Sequence, residues 1–240
     1  MNFPSSSFLV GLLLAALLPA IAQNSTPPTI AEALQKHHVA ATRPSLLVAL
    51  RSPDAEVRGL AAAQLAEDKA KDEIPAIEQA LAVEQVSGTK VNIAFALGEL
   101  GNASGVDALK RSCHDSGIEP VFRVRAAQYM LDLRSNACLR DTLDLLETQS
   151  SDISSDLMGA LSLVPQFKNV TVSESQELLT AVLRNLENAE SSVRMSAGNA
   201  LAELRDSGAI PYLQNAITAE SDEVVRESLE NALQRLQRSQ

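Results

Sequence analysis

The sequence predicts an all-α chain built as an α-solenoid of about six helix–turn–helix units. Three observations carry that prediction. First, a motif of about twelve residues returns six times, most clearly as VRGLAAAQLAED from Val57, VRMSAGNALAEL from Val193 and VRESLENALQRL from Val225. The copies start at Val57, Thr89, Phe122, Ile153, Val193 and Val225, in steps of 32, 33, 31, 40 and 32 residues. A period of this size marks a repeat array. Second, positions 1, 5, 8, 9 and 12 of each copy are mostly apolar or small, as in Val193, Ala197, Ala200, Leu201 and Leu204. That spacing places them on one face of a helix. Third, another helical segment precedes each copy, with a short breaker between the two. One such hairpin cannot bury its apolar face alone; six stacked hairpins can.

Residues 1–22 read as a signal peptide. FLVGLLLAALLPAIA, from Phe8 to Ala22, carries no charge and is short for a membrane span. Ala20-Ile21-Ala22 fits a small-x-small cleavage site. Residues 23–28 are polar and Pro-rich, and read as a disordered leader. Residues 29–43 are expected to form a helix over the open end of the stack, started by a capping box of Thr29 and Glu32. The repeat domain is 44–240. Its first helices begin near Pro44, Glu73, Val106, Ala137, Ser175 and Ala209. Pro75 and Pro211 stand in first turns, where a missing N–H costs little. Ser52-Pro53-Asp54, Ser87-Gly88, Gly101-Asn102, Ser116-Gly117 and Ser207-Gly208 separate the helices. Alanines such as Ala61, Ala62, Ala126, Ala127 and Ala197 let a second helix approach closely.

The recurring pattern acidic-x-x-Val-Arg-x-x-Ala-Ala-x-Ala-Leu-x-x-Leu resembles the HEAT repeat, and especially the short bacterial phycobilisome-lyase-type HEAT-like repeat. The resemblance covers roughly residues 44 to 237. It implies a right-handed superhelix whose second helices line the concave surface. It does not imply lyase chemistry, because a fold hosts many functions. Thr89-Lys90 and Phe122-Arg123 replace the usual Val-Arg, and the fourth copy has Ile153-Ser154 with no basic residue. The fourth unit also carries an insertion over 165–173. There Phe167 is a candidate to grip a partner or to fold back over the core.

Composition narrows the function. The net charge is −10, which argues against nucleic acid, a partner that needs clustered Lys and Arg. No second apolar run approaches the length of a membrane span, so none is expected after signal cleavage. The motifs of nucleophilic, phosphate-binding and dinucleotide sites are absent. His37 and His38 are adjacent and diverge by about 100° on a helix, unlike the i, i+4 pair a metal prefers. Cys113-His114 has no CxxC partner. The chain is therefore read as non-catalytic, with no metal and no cofactor.

The two cysteines, Cys113 and Cys138, leave two readings open. An exported chain meets oxidising conditions, which favour a bridge. Their expected places, at the end of one outer helix and the start of the next, imply an offset of roughly 12 Å. A bridge needs alpha carbons within about 7 Å.

The Arg at position 2 follows an acid by four residues in Asp54–Arg58, Glu119–Arg123, Glu190–Arg194 and Asp222–Arg226. These read as i, i+4 pairs that cap helices and link units. The candidate binding face lies elsewhere, at positions 4, 7 and 11. It offers Asn92, Phe95, Glu99, Arg125, Gln128, Asp132, Asn199 and Glu203, with Phe95 expected to be exposed. Glu67, Glu99, Asp132 and Glu203 form an acidic line suited to a basic segment. The leading expectation is a scaffold that binds a protein or peptide in the periplasm or outside the cell. The alternatives are a ligand- or chromophore-handling protein related to the lyase-type proteins, and a structural spacer in an envelope assembly.

Overall fold

The computed structural model describes residues 28–148, 158, 161 and 171–239. The expected signal peptide, almost all of the leader, Phe167 and most of the fourth copy lie outside the described residues. Among the described residues every regular element is helical. The order is α1 Ile30–Lys36, α2 Arg43–Ala49, α3 Ala55–Glu67, α4 Ile74–Val83, α5 Ser87–Glu99, α6 Ala103–His114, α7 Pro120–Asp132, α8 Leu139–Thr148, α9 Val172–Arg184, α10 Ser191–Leu204, α11 Ile210–Ala219 and α12 Glu223–Arg238. The architecture is the predicted α-solenoid of HEAT-like hairpins.

The N-terminal helix is shorter than expected. Thr29 and Glu32 form the capping box, but the helix ends at Lys36 instead of running towards residue 43. His38 adopts a left-handed conformation (φ 59°), and the Val39 N–H returns to the Leu34 carbonyl. That Schellman turn stops the helix and redirects the chain into α2. Position 13 of the repeats uses the same device. Lys69, Gly101 and Arg134 are left-handed, and the next N–H bonds back five residues, to Leu65, Leu97 and Met130. Arg205 is left-handed at the equivalent place. A single backbone conformation thus ends α3, α5, α7 and α10, whereas α12 runs on to Arg238 without it.

The second helices form the inner row. Helices α3, α5 and α7 pack on one another, as do α10 and α12, whereas the first helices α2, α4 and α6 touch each other little. A row that packs more closely than its opposite side lies inside the curve. Small residues make this possible: Ala61, Ala62, Ala94, Ala96, Ala126 and Ala127 are fully buried or nearly so. At the α5–α6 crossing, a methyl group on Gly105 would overlap the Ala94 carbonyl oxygen and the Gly98 nitrogen, so backbone meets backbone there. The core runs in slices. One apolar cluster extends from Leu34 to Cys138 and another from Val124 to Leu236, with α7 contributing to both.

The position-2 arginines do not pair with the acid four residues before them. Arg58 Nε and Nη2 donate to Glu84 Oε2 and Oε1 at 2.7 and 2.8 Å. Its Nη1 donates to the Ser52 and Pro53 carbonyls at 2.7 and 3.1 Å. Arg194 repeats the arrangement with Glu220, at 2.7 and 3.0 Å, and with the Asn188 and Ala189 carbonyls. Each glutamate stands 26 residues after its arginine, in the turn between the two helices of the next unit. There the carboxylate also accepts backbone N–H groups, those of Gln85 and Val86 or that of Asp222. A second-helix N-terminus is thereby clamped to the following hairpin. The expected acids serve otherwise: Asp54 and Asp222 cap their helices through the N–H of Glu56 and of Val224. Arg123 Nε donates to the Cys113 carbonyl at 3.2 Å.

The cysteines are bridged, with alpha carbons 6.3 Å apart. The expected offset assumed outer helices in register. Instead Cys138 sits in the turn before α8, and the start of α8 lies beside the end of α6. The bridge spans 25 residues of sequence, and closing such a loop is worth on the order of 3 kcal/mol.

The Glu84 side chain is only 1% exposed, so removing it strands a guanidinium. We expect Glu84→Ala to cost about 3 kcal/mol in chemical denaturation, and the double replacement Arg58→Met/Glu84→Met to restore most of it. A Glu84→Ala protein as stable as wild type would show that the clamp joins nothing.

Candidate inner-face binding site

The inner row brings most of the predicted site residues together, but in one half of the array. Helix α5 supplies Asn92, Phe95 and Glu99, and α7 supplies Arg125, Gln128 and Asp132. Helix α3 adds Glu67 at the equivalent position. Since α5 packs against both α3 and α7, these residues occupy one continuous surface.

Phe95 is not the exposed aromatic that its position suggested. It is 8% exposed and stacked on Tyr129, with ring centroids 4.0 Å apart and planes 12° from parallel. Tyr129 explains the burial. It stands at position 8, where Ala96, Ala200 and Ala232 stand in other units, and its ring reaches across to cover Phe95. Its hydroxyl donates to Asn92 Oδ1 at 3.1 Å. Position 8 reads as a packing position in the sequence, so Tyr129 does not stand out there; its one signal is a large residue where most copies carry alanine. Gln64 is a second such residue. It is buried, and its Nε2 donates to Glu67 Oε2 and Asp68 Oδ1. Arg125 lies over the Phe122 ring, 5.9 Å from its centroid, and its charge also acts on the Tyr129 hydroxyl.

The carboxylates divide into two groups. Glu67, Glu99 and Asp132 project from successive helices, and no basic side chain pairs with Glu99 or Asp132 among the described residues. Glu99 and Asp132 reach the surface, but the surrounding protein partly desolvates the Glu99 carboxyl and pushes it above the ordinary range, and the charges of Asp132 and Glu67 push it further. Burial does the same to Asp132. The Tyr129 hydroxyl is also raised, first by burial, against the attraction of Arg125. The other half of the row is neutralised. Arg235 Nη1 reaches Glu203 Oε1 at 3.1 Å, and its Nη2 donates to Asn199 Oδ1 at 2.6 Å. Asn199 and Glu203, expected to serve a partner, are engaged within the protein, and the acidic line stops at Asp132.

These shifts oppose those of the clamps. Burial raises Glu84, but Arg58 and the Val86 and Gln85 N–H groups outweigh it and hold the carboxyl low. Arg194, then the Asp222 N–H, does the same for Glu220. A depressed carboxylate stabilises the fold above its unfolded value, about 4.3, and loses that contribution as pH falls through the folded value. A raised carboxylate costs stability while ionised, and a bound proton relieves the cost. We therefore expect stability to rise as pH falls from 7 into the weakly acid range, then to drop below about 4 as the clamps protonate. Glu99→Gln/Asp132→Asn should be more stable than wild type at pH 7 and lack the initial rise. A variant that matches wild type at neutral pH and keeps the rise would contradict this.

Comparison with known proteins fits the architecture. The model of HEAT repeats matches residues 43–131 and 160–234. No curated protein sequence matches the chain significantly. Among solved structures, an engineered protein is similar at 20% identity and TM-score 0.51, over 81% of this chain and 58% of that one. This chain thus spans less than two thirds of the engineered protein's length. Human deoxyhypusine hydroxylase in complex with glycerol aligns at 17% identity and TM-score 0.43, over 81% of this chain and 73% of that one. The complex of CpcE and CpcF of phycocyanin lyase from Nostoc sp. PCC7120 aligns at 17% identity and TM-score 0.42, over 92% of this chain and 99% of that one. The recurring hairpins, their clamps and the family match lead to one conclusion: the chain belongs to the HEAT-repeat family.

Proposed function

We propose that this protein is a non-catalytic scaffold that binds a protein or peptide segment bearing basic side chains on its inner face. The observation that carries this reading is the row Glu67, Glu99 and Asp132, in which the charges of Asp132 and Glu67 add to burial in raising the Glu99 carboxyl, and no basic side chain pairs with Glu99 or Asp132 among the described residues. Cationic side chains from a partner would relieve that cost, so binding energy is built into the free state. Asn92 and Gln128 stand beside the row and can hydrogen-bond an extended main chain. HEAT repeats generally mediate protein binding, which agrees with this reading.

Spacing sharpens the expectation. Packed helices lie about 8–10 Å apart. A polyproline II segment rises about 3.1 Å per residue and returns its side chains to the same face every third residue. Basic side chains three residues apart would therefore meet successive carboxylates. The apolar segment from Phe8 to Ala22 and the Cys113–Cys138 bridge support action in an oxidising place, the periplasm or the cell exterior. Among the described residues no helix is long and apolar enough to cross a membrane. A chromophore-handling role would need a deep cavity, whereas the Phe95–Tyr129 stack fills the inner layer at the middle of the row.

The test uses fluorescence anisotropy with an extended peptide carrying lysine at every third position, beside a peptide of equal charge with its lysines clustered. The spaced peptide is expected to bind more tightly, and Glu99→Gln/Asp132→Asn to weaken it at least about tenfold, the value of one lost charge-assisted contact. Equal affinity for wild type and the double variant would sink the proposal.

A further inference from the structure

The junction between the third and fourth units holds a group of side chains that the binding face does not use. Cys113 closes α6 and is fully buried; Cys138 precedes α8 and is 1% exposed. His114 follows Cys113 and lies at the surface. The two sulfurs and an imidazole nitrogen all fall within 4.8 Å of one another. Asp141, in the first turn of α8, places Oδ2 2.7 Å from His114 Nδ1. A structural bridge has no use for an imidazole beside both sulfurs. A metal does.

We propose that this cluster has a second state. With the bridge reduced, Cys113, Cys138 and His114 hold one tetrahedral cation of the zinc class, and disulfide formation expels it. Thiolate and imidazole are the ligands such ions prefer, with metal–sulfur distances near 2.3 Å and metal–nitrogen distances of about 2.0–2.1 Å. In that geometry the sulfurs stand roughly 3.7 Å apart. Alpha carbons 6.3 Å apart allow this separation by side-chain rotation. Asp141 plays the part that a carboxylate plays behind a metal-bound histidine: an Nδ1–H donated to it leaves the Nε2 lone pair for the metal and fixes the ring plane. The fourth position is open to water at the exposed side of His114.

The chemistry balances. Binding exchanges two thiol protons for one divalent cation. A small disulfide of the glutathione class then reverses it: the two protein thiolates are oxidised to the Sγ–Sγ bond, the small disulfide is reduced to two thiolates, and the cation leaves. The bridged state belongs to an oxidising compartment and the metal state to a reducing one. No CxxC spacing marks this site in the sequence. The offset between α6 and α8 brings its ligands together.

The test titrates Co²⁺ alone into the full chain under anaerobic conditions, after reduction with a phosphine that is then removed. The reduced wild type is expected to bind one equivalent with a thiolate-to-cobalt charge-transfer band and tetrahedral d–d absorption. The oxidised protein should show neither. His114→Ala should weaken binding by at least tenfold and Asp141→Asn by about 10–100-fold, the usual effect of losing an outer-shell partner. His114 is exposed and Asp141 half-buried, and retained helical circular dichroism checks the fold of both variants. A reduced wild type that gives no charge-transfer band, folded or not, overturns the proposal. So does undiminished binding by His114→Ala.

Discussion

Everything in this structure depends on how closely the second helices can approach. A hairpin with one apolar face is unstable until its neighbour covers that face, and cover is complete only when backbones come near each other. Alanine at the contact positions of α3, α5 and α7, and Gly105 at the α5–α6 crossing, permit that approach. The close inner row bends the array and makes its inner side a surface with regular spacing. The left-handed turns after Lys69, Gly101, Arg134 and Arg205 repeat the same exit angle, so the units stay in phase.

Two kinds of electrostatics are laid over this packing, and they act in opposite directions. The clamps Arg58–Glu84 and Arg194–Glu220 bury charge with full hydrogen bonding, and each spans two units. They fix how one hairpin sits on the next. On the inner face, Glu67, Glu99 and Asp132 are brought near each other by the same regular spacing, without compensation from basic groups. The first arrangement stabilises the fold; the second costs stability and makes sense as a surface awaiting opposite charge. Arg235 cancels the equivalent carboxylate on Glu203, so the asymmetry between the two halves arises from one side chain.

The architecture was legible in the sequence because period, apolar spacing and breakers all pointed the same way. The capping box at Thr29 and the buried alanines could be read directly. Partner choice was harder to read. An acid four residues before Arg58 looks like its partner on a helical wheel, but the guanidinium reaches back over the helix end to Glu84, 26 residues on. The same 26-residue step links Arg194 to Glu220, and it could have been found by comparing copies. Phe95 occupies an outward position and is buried only because Tyr129 crosses from the next helix; one unit's pattern does not contain that contact. The Cys113–Cys138 bridge depended on the stagger of two outer helices, which the repeat period leaves unspecified.

In this reading the inner face over α3, α5 and α7 engages the partner, while α10 and α12 only hold the array together. Backbone hydrogen exchange with and without the lysine-spaced peptide tests this most directly. Added protection is expected over residues 55–67, 87–99 and 120–132 and nowhere else. Protection over 191–204 and 223–238 instead, or on the outer helices, would contradict it.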